Sequence, residues 1–561
     1  MELELLLAHA DDHRPVLESG LPDDSLGQAP ASAQRSQMPK HLWDPGGDPN
    51  DLAAQRWAVI APEGPAGDRL LALVAPLRQW REQQQGAPAR CFRVAPGLGG
   101  PEAVRWKNTV LRDESLPERE WPRYLLILGD LEQVSLEFQQ GLGSDVFVGR
   151  LAFRDEQGLS AYVDKVLRWE RAPSAESRAR SLFFTAHDGT AATRVGYQQL
   201  VLPSLQACRA RQQRGELNAD ILEVGNTEDW SAQHLLDQAA MPRPGVLLSV
   251  SHGLGAPRKG WSSASEQQAL QGAMSLGPGE HLRAEDVASR PFLPGGFWVY
   301  LACFGGGTPR TSPYFHWLRR LQDAGARLGN PEAVLASLPK AGEPPFIAAL
   351  PQAALANPDG PLALIAHVDL AWSYGFSDVD TQTRGRASRF LGLLRELVEG
   401  RRAGVGLSAL LRFASEANLE LTLLEDGAES DRAAGRATAQ DGVRRGHLWM
   451  MRQDVSGYVL LGDPAVRLPL VQAAVRAVTP SVSNAAALLG MPVGLPAVVS
   501  SGPGVQSMEE AVVALMTGAE SPKAIAARAG VSLAELRHWE RTFREAGRAA
   551  LAALSGSKGQ G

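Results

Sequence analysis

The feature that most constrains this chain is a succession of short apolar runs with almost no polar face, separated by stretches of helical spacing. The clearest are Tyr124-Leu-Leu-Ile-Leu128, Val246-Leu-Leu-Ser-Val250, Phe297-Trp-Val-Tyr-Leu-Ala302 and Leu362-Ala-Leu-Ile-Ala366. A strand apolar toward both sides is buried on both faces, as at the centre of a parallel sheet covered by helices. Further strands are expected at 57–61, 145–150, 181–186, 221–224 and 458–464. Between them, Ala161–Glu170 places Tyr162, Val163, Val166 and Trp169 on one helical side. Strands alternating with amphipathic helices predict an α/β fold with a doubly wound, mostly parallel sheet.

The 561 residues are 44% apolar and 21% charged, which excludes a mostly disordered or fibrous chain. A net charge of -6 argues against a basic nucleic-acid binder. Cys91, Cys208 and Cys303 cannot build a disulfide framework, and neither Cys-x-x-Cys nor a metal-binding histidine pair occurs. No cofactor or metal is expected. The acidic opening Met1-Glu-Leu-Glu-Leu-Leu-Leu is too short for a secretory signal, and no apolar run suits a membrane span. The expectation is a cytoplasmic protein with no membrane partner. Composition divides the chain into a loose arm (1–50), two α/β series (51–177 and 178–470) parted by a polar hinge, a linker (471–507) and a helical module (508–553).

Two of the buried strands end in reactive residues. One runs into Ser251-His252-Gly253, the other into Ala302-Cys303-Phe304-Gly305-Gly306-Gly307. Ligands bind outside the carboxyl ends of strands in an open parallel sheet, so neighbouring strands would bring His252 and Cys303 together. A thiol is mostly protonated at neutral pH, and an imidazole beside it takes that proton and later delivers it to a leaving amine. The backbone N–H groups of Gly253 and Cys303 are the candidate oxyanion hole. Gly253 is expected to let a substrate approach the backbone, and the three glycines to keep side chains off the thiol. These residues in this order predict a cysteine endopeptidase acting on a protein or peptide.

Here the sequence resembles the caspase-fold cysteine peptidases (clan CD), and most of all the gingipain-like family. Leu301-Ala-Cys-Phe-Gly305 shares the Ala-Cys-x-Gly core of the caspase motif. Tyr124–Asp130, Val148-Gly-Arg150 with Val163–Glu170, Ile365–Trp372 and Leu460-Leu-Gly-Asp-Pro-Ala-Val-Arg467 are similar, in order, to gingipain segments over roughly residues 57–470. The resemblance implies a two-subdomain unit, non-catalytic in 51–177 and catalytic in 178–470. It implies His252 as general acid/base, Cys303 as nucleophile and Asp188 as the acid that orients the histidine, where Asp188 otherwise caps a turn. It implies Trp372 as a wall of the substrate pocket, where it is otherwise a core or surface tryptophan. Unlike the family, the chain is expected to carry no export segment, and Gly189–Arg194 holds no acid. Arg194 is therefore a candidate counter-charge for an acidic substrate side chain, or else a solvated arginine opening a helix. Asp369, Asp378 and Asp380 keep a basic preference open.

The C-terminal module opens with Ser521-Pro522 and carries the capping box Ser532-Leu-Ala-Glu535. It resembles a transposase-type helix-turn-helix, but between 506 and 553 six basic residues face six acidic ones. That balance gives little counterion release on DNA. A protein partner or regulator is favoured over DNA. The polar stretch 425–445 is expected to be a cleavage or activation loop. The competing reading of the chain is a catalytically silent caspase-fold scaffold or a helix-turn-helix regulatory protein.

Overall fold

A computed structural model describes residues 2–471 apart from 18, 23–24, 26–47, 226–228, 325–330, 378–384 and 437–441. Toward the C-terminus it describes 522–529, 531, 532, 536 and 539. The chain forms two compact units, Met1–Ala474 and Val475–Gly561.

The first unit is built on one ten-stranded sheet. In chain order its strands are β1 (Trp57–Pro62), β2 (Arg90–Val94), β3 (Tyr124–Leu128), β4 (Phe147–Leu151) and β5 (Ala179–Thr185). They continue with β6 (Ala219–Val224), β7 (Gly245–Val250), β8 (Phe297–Leu301), β9 (Ala363–His367) and β10 (Tyr458–Gly462). Across the sheet the order is β2-β1-β3-β4-β10-β9-β8-β7-β5-β6. Every neighbouring pair is parallel except β9 and β10. The fold is thus the expected mixed α/β one with a mostly parallel sheet. The two α/β series share this sheet, because β10 returns from the end of the second and lies between β4 and β9.

Alternation along the strands feeds two cores. Trp57, Val59 and Ala61 of β1 face one side with Leu77, Tyr162 and Val166, while Ala58 and Ile60 face the other with Ala103, Phe138 and Leu142. Burial on both faces is what the apolar runs imply. Two charged groups in this interior are fully engaged. The Arg150 guanidinium donates to the carbonyls of Gly129 and Val134 and to Gln139. The Asp463 carboxylate, just past β10, accepts from Trp57 Nε1 at 3.0 Å and from Arg81 at 2.7 Å, and Arg81 also grips Glu170. The Gly-Arg and Gly-Asp-Pro segments singled out in the sequence therefore brace the sheet away from the reactive strand ends.

Two expectations are corrected. The arm is not loose over its first residues. Glu2–Leu3 pairs antiparallel with Leu21–Pro22. Leu7–His9 is the edge of a four-stranded sheet completed by His252–Gly255, Met274–Gly277 and Glu280–Leu282. Leu3, Leu5, Leu6, Leu7 and Leu21 are all buried. The polar average of 1–50 concealed a local leucine cluster with partners far along the chain. Nor is 425–445 one loop. Helix Ala403–Ala433 runs through its first part and helix Gly442–Ser456 takes up its end, with 437–441 outside the described residues. Three of the charges expected to solvate a loop pair between these helices instead: Arg444 with Glu420, which precedes the stretch, and Glu425 with Arg445 at 3.0 Å.

In the second unit, helix Pro522–Ala529 supplies Ile525 and Ala526 to a small core with Leu536, Val531 and Trp539. The linker from 472 on and the rest of 508–553 lie outside the described residues. Among the described residues no helix is long and apolar enough to cross a membrane, and no group of acidic, histidine or cysteine side chains is arranged to hold a metal ion.

Candidate functional site

Strands β7 and β8 are parallel neighbours in register, Val250 beside Leu301. Their last ladder bond runs from Ser251 N–H to Leu301 O at 3.2 Å. One residue further on, the two chains present His252-Gly253 and Cys303 at the carboxyl edge of the sheet. There the N–H groups of Gly253 and Cys303 converge on one acceptor. Both donate to the carbonyl oxygen of Leu6, at 3.0 and 3.1 Å.

Gly253 is required for this approach. A Cβ at 253 would lie 1.9 Å from the carbonyl oxygen of Cys303, so the close neighbour is the other strand's backbone. The glycines after the thiol likewise serve packing. A Cβ on Gly305 would strike the Tyr300 ring at 2.7 Å, and one on Gly306 would crowd the Ala366 carbonyl. Past Cys303 the chain turns sharply, with Phe304 at φ 56° and its N–H on Asp369 O at 2.7 Å. Asp369 itself stands at φ 107°. Left-handed backbone at non-glycine residues costs about 1–3 kcal/mol each and persists only where surroundings enforce it.

The Cys303 thiol is fully buried. Its sulfur accepts the Ala371 N–H at 3.2 Å and lies 3.5 Å from the Ala371 carbonyl. Burial pushes the thiol well above its ordinary range; the Ala371 N–H acts the other way, and the Asp369 and Asp454 carboxylates add to the rise. The His252 ring is also fully buried. Its Nε2 lies 2.9 Å from Thr190 Oγ1 and 3.7 Å from Asp188 Oδ2. Burial lowers its pKa and the Asp188 carboxylate raises it. Asp188 is held by Thr190 N–H at 3.0 Å and the Thr193 hydroxyl at 2.7 Å. The ring's other nitrogen, Nδ1, has no hydrogen-bond partner among the described residues.

The structure therefore brings Asp188, His252, Gly253 and Cys303 to one place. Trp372 flanks it through its backbone, which bridges antiparallel to Leu5. Its ring packs edge-on against Trp317 and tilted against Tyr314. Arg194 is exposed and, with Glu4, Arg14, Thr190 and His252, lines an open cavity of about 360 Å³. Asp369 is turned inward. Its Oδ1 accepts the Leu370 N–H at 2.7 Å, and burial pushes its carboxyl up to about 7, against the pull of the Ser312 hydroxyl. Asp378 and Asp380 lie outside the described residues.

No family model matches the chain and no curated protein matches it. Among solved structures it is similar to the crystal structure of the Arg-specific cysteine proteinase gingipain R (RgpB). Identity is 12%, the match covers 74% of this chain and 78% of that one, and the TM-score is 0.42. The complex of Porphyromonas gingivalis RgpB pro- and mature domains matches at 12% identity, with 73% and 79% covered and a TM-score of 0.41. A structure described only as that of a protease matches at 11% identity, with 73% and 78% covered and a TM-score of 0.39.

Sequence reasoning missed two supporting residues. Thr190 caps the helix Ala191–Gly196 while its hydroxyl touches His252. The Thr-x-x-Thr pattern was legible as a cap, but not as a partner for the ring. Asp454, on helix Gly442–Ser456, accepts the N–H groups of Trp372 (2.7 Å) and Gly375 (2.6 Å) and so fixes the loop that holds Ala371 against the thiol. Burial pushes its carboxyl up to about 7. No sequence signal links it to Cys303.

Proposed function

We propose that this chain is a cysteine endopeptidase whose nucleophile is Cys303. The observation that carries the reading is the convergence of the Gly253 and Cys303 N–H groups on one carbonyl oxygen. Those donors are what a developing oxyanion needs; one sits on the residue that bears the thiol and the other on the residue after His252. His252 takes the thiol proton as sulfur attacks the carbonyl carbon of the bond to be cut. Its partnerless Nδ1 is the nitrogen available for that proton, because Nε2 is held by Thr190 and Asp188. The proton then passes to the leaving amine, and water hydrolyses the thioester to restore the thiol. Asp188 favours the charged imidazole through that cycle, with Thr190 fixing the ring's orientation.

Arg194, at the rim of the open cavity, is the candidate contact for an acidic substrate side chain, and Trp372 borders the run of substrate before the cut. Asp369, turned inward, supports the turn behind the thiol in this reading. Substrates are proteins or peptides, the site of action is the cytoplasm, and residues 508–553 recruit a protein partner.

The test is hydrolysis of fluorogenic peptides ending in Arg, Lys, Asp, Leu or Ala, comparing the full chain with Cys303→Ala and His252→Ala. Turnover in the full chain that falls by about 10³-fold or more in Cys303→Ala is expected. Equal turnover in both removes the thiol mechanism.

A further inference from the structure

The oxygen that the two N–H groups share belongs to the chain itself, and the residues on either side of it run as an extended peptide. Before Leu6, the chain lies antiparallel to the loop after β9. Leu6 N–H reaches Ala371 O at 3.4 Å, and Leu5 bridges Trp372. After Leu6, Leu7–His9 pairs parallel with Gly253–Gly255, Leu7 standing opposite Gly253. Each side is anchored again further along: Glu2–Leu3 by Leu21–Pro22, and Leu7 by a bond from Val16 N–H to its carbonyl at 2.9 Å. Leu5, Leu6 and Leu7 are all at most 2% exposed. Extended backbone pairing on both sides of a carbonyl, with that carbonyl's oxygen on two convergent donors, is how a peptidase holds the bond it cuts.

On the peptidase reading above, we infer that Leu6–Leu7 is a substrate bond of Cys303 in its own chain, and that the site takes leucine immediately before the bond it cuts. The sulfur bonds to the Leu6 carbonyl carbon and the Leu6–Leu7 C–N bond breaks. The thiol proton passes through His252 to the Leu7 nitrogen, which leaves as an amine. Water then cleaves the thioester, giving a Leu6 carboxylate and the free thiol. Until the cut, the segment excludes other peptides, because it fills the oxyanion donors and pairs with both walls. After it, Leu7–His9 keeps its place in the small sheet while the residues up to Leu6 are held only by noncovalent contacts. The acidic Glu4, third from the cut end, borders the cavity that Arg14 and Arg194 also line. A peptide of sequence Leu-Glu-Leu-Leu reproduces that side.

The experiment has two arms, both with the full chain. In the first, the purified chain and its Cys303→Ala variant are incubated, and new N-termini are labelled and identified by mass spectrometry. The expected result is a new N-terminus at Leu7 in the full chain and none in the variant. In the second, the full chain is assayed on acetyl-Leu-Glu-Leu-Leu-aminomethylcoumarin and on the same peptide ending in Arg, Lys or Asp. The leucine peptide is expected to exceed the others at least tenfold in kcat/KM. A chain that stays uncut, or is cut elsewhere, overturns the cleavage. A cut chain that favours Arg, Lys or Asp peptides, or turns over none, overturns the leucine preference. Cys303-dependent hydrolysis of Arg or Asp peptides by an uncut chain leaves the peptidase reading standing and removes this one. No cut and no turnover of any peptide removes both.

Discussion

Replacing Gly253 by alanine probes the geometry on which the functional reading stands. The new Cβ would lie 1.9 Å from the Cys303 carbonyl oxygen, 2.9 Å from its carbonyl carbon and 3.2 Å from its nitrogen. Ordinary contact at that oxygen requires well over 3 Å, so the strand ends must part by about 1.5 Å. No rotamer absorbs this, because both sides are backbone. Gly253 is paired into the small sheet, and Cys303 follows a central strand. Forced separation of packed backbone costs about 3 kcal/mol or more. It also moves the two N–H groups off their common oxygen. Loss of one such donor costs about 2.7–4 kcal/mol in the transition state, a fall in kcat of about 10²–10³-fold. The assay is a urea denaturation series together with kcat and KM on the best peptide of the panel. A lower urea midpoint, with the rate loss carried by kcat rather than KM, is expected. An alanine variant with wild-type stability and kcat within threefold would refute the claim that these two backbones form one oxyanion site.

The remaining predictions concern the surrounding residues. Thr190→Val removes the hydroxyl beside His252 Nε2 and the helix cap, so kcat should fall about tenfold and stability by about 1 kcal/mol, with Thr190→Ser restoring both. Recovery of stability but not of kcat in the serine variant would detach Thr190 from the ring. Asp369 is pushed up to about 7 by burial, so the folded state holds a proton that the unfolded state has lost above about pH 4. That stabilisation is complete below the unfolded value and is lost as pH rises through 7. Its extent is roughly 4 kcal/mol. Asp369→Asn should therefore flatten the fall in stability between pH 5 and pH 8, and an unchanged pH slope would count against a protonated Asp369. Asp463→Ala leaves the buried Arg81 guanidinium short of one carboxylate and should cost about 3–5 kcal/mol by denaturant titration, without a change in KM.

Much of the architecture was legible in the sequence because it depends on local pattern. Val246–Val250 and Phe297–Leu301 could only be doubly buried strands, and a strand's carboxyl end is where a parallel sheet binds ligands. Bringing His252 and Cys303 together required in addition that the two strands be neighbours, which the strand order of the sheet decides. The supporting shell did not follow. Asp454 reaches the Ala371–Gly375 loop from a helix late in the chain, and nothing in its own neighbourhood marks it. The stretch 425–445 read as a loop because its charges suggest solvation. In the folded chain Glu425, Arg444 and Arg445 pair between two helices, a match that depends on how the helices lie together.

The sequence by itself determined the α/β class and the two reactive strand ends, since propensity and periodicity are properties of neighbours along the chain. Tertiary structure alone decided that β10 lies between β4 and β9, where the antiparallel return of a distant strand joins the two series. It alone decided that Leu6 sits on the Gly253 and Cys303 donors. The physical reason is the same in both cases. A strand edge or an N–H pair takes whichever backbone satisfies its hydrogen bonds and buries its apolar side chains, and that partner is chosen by the whole fold.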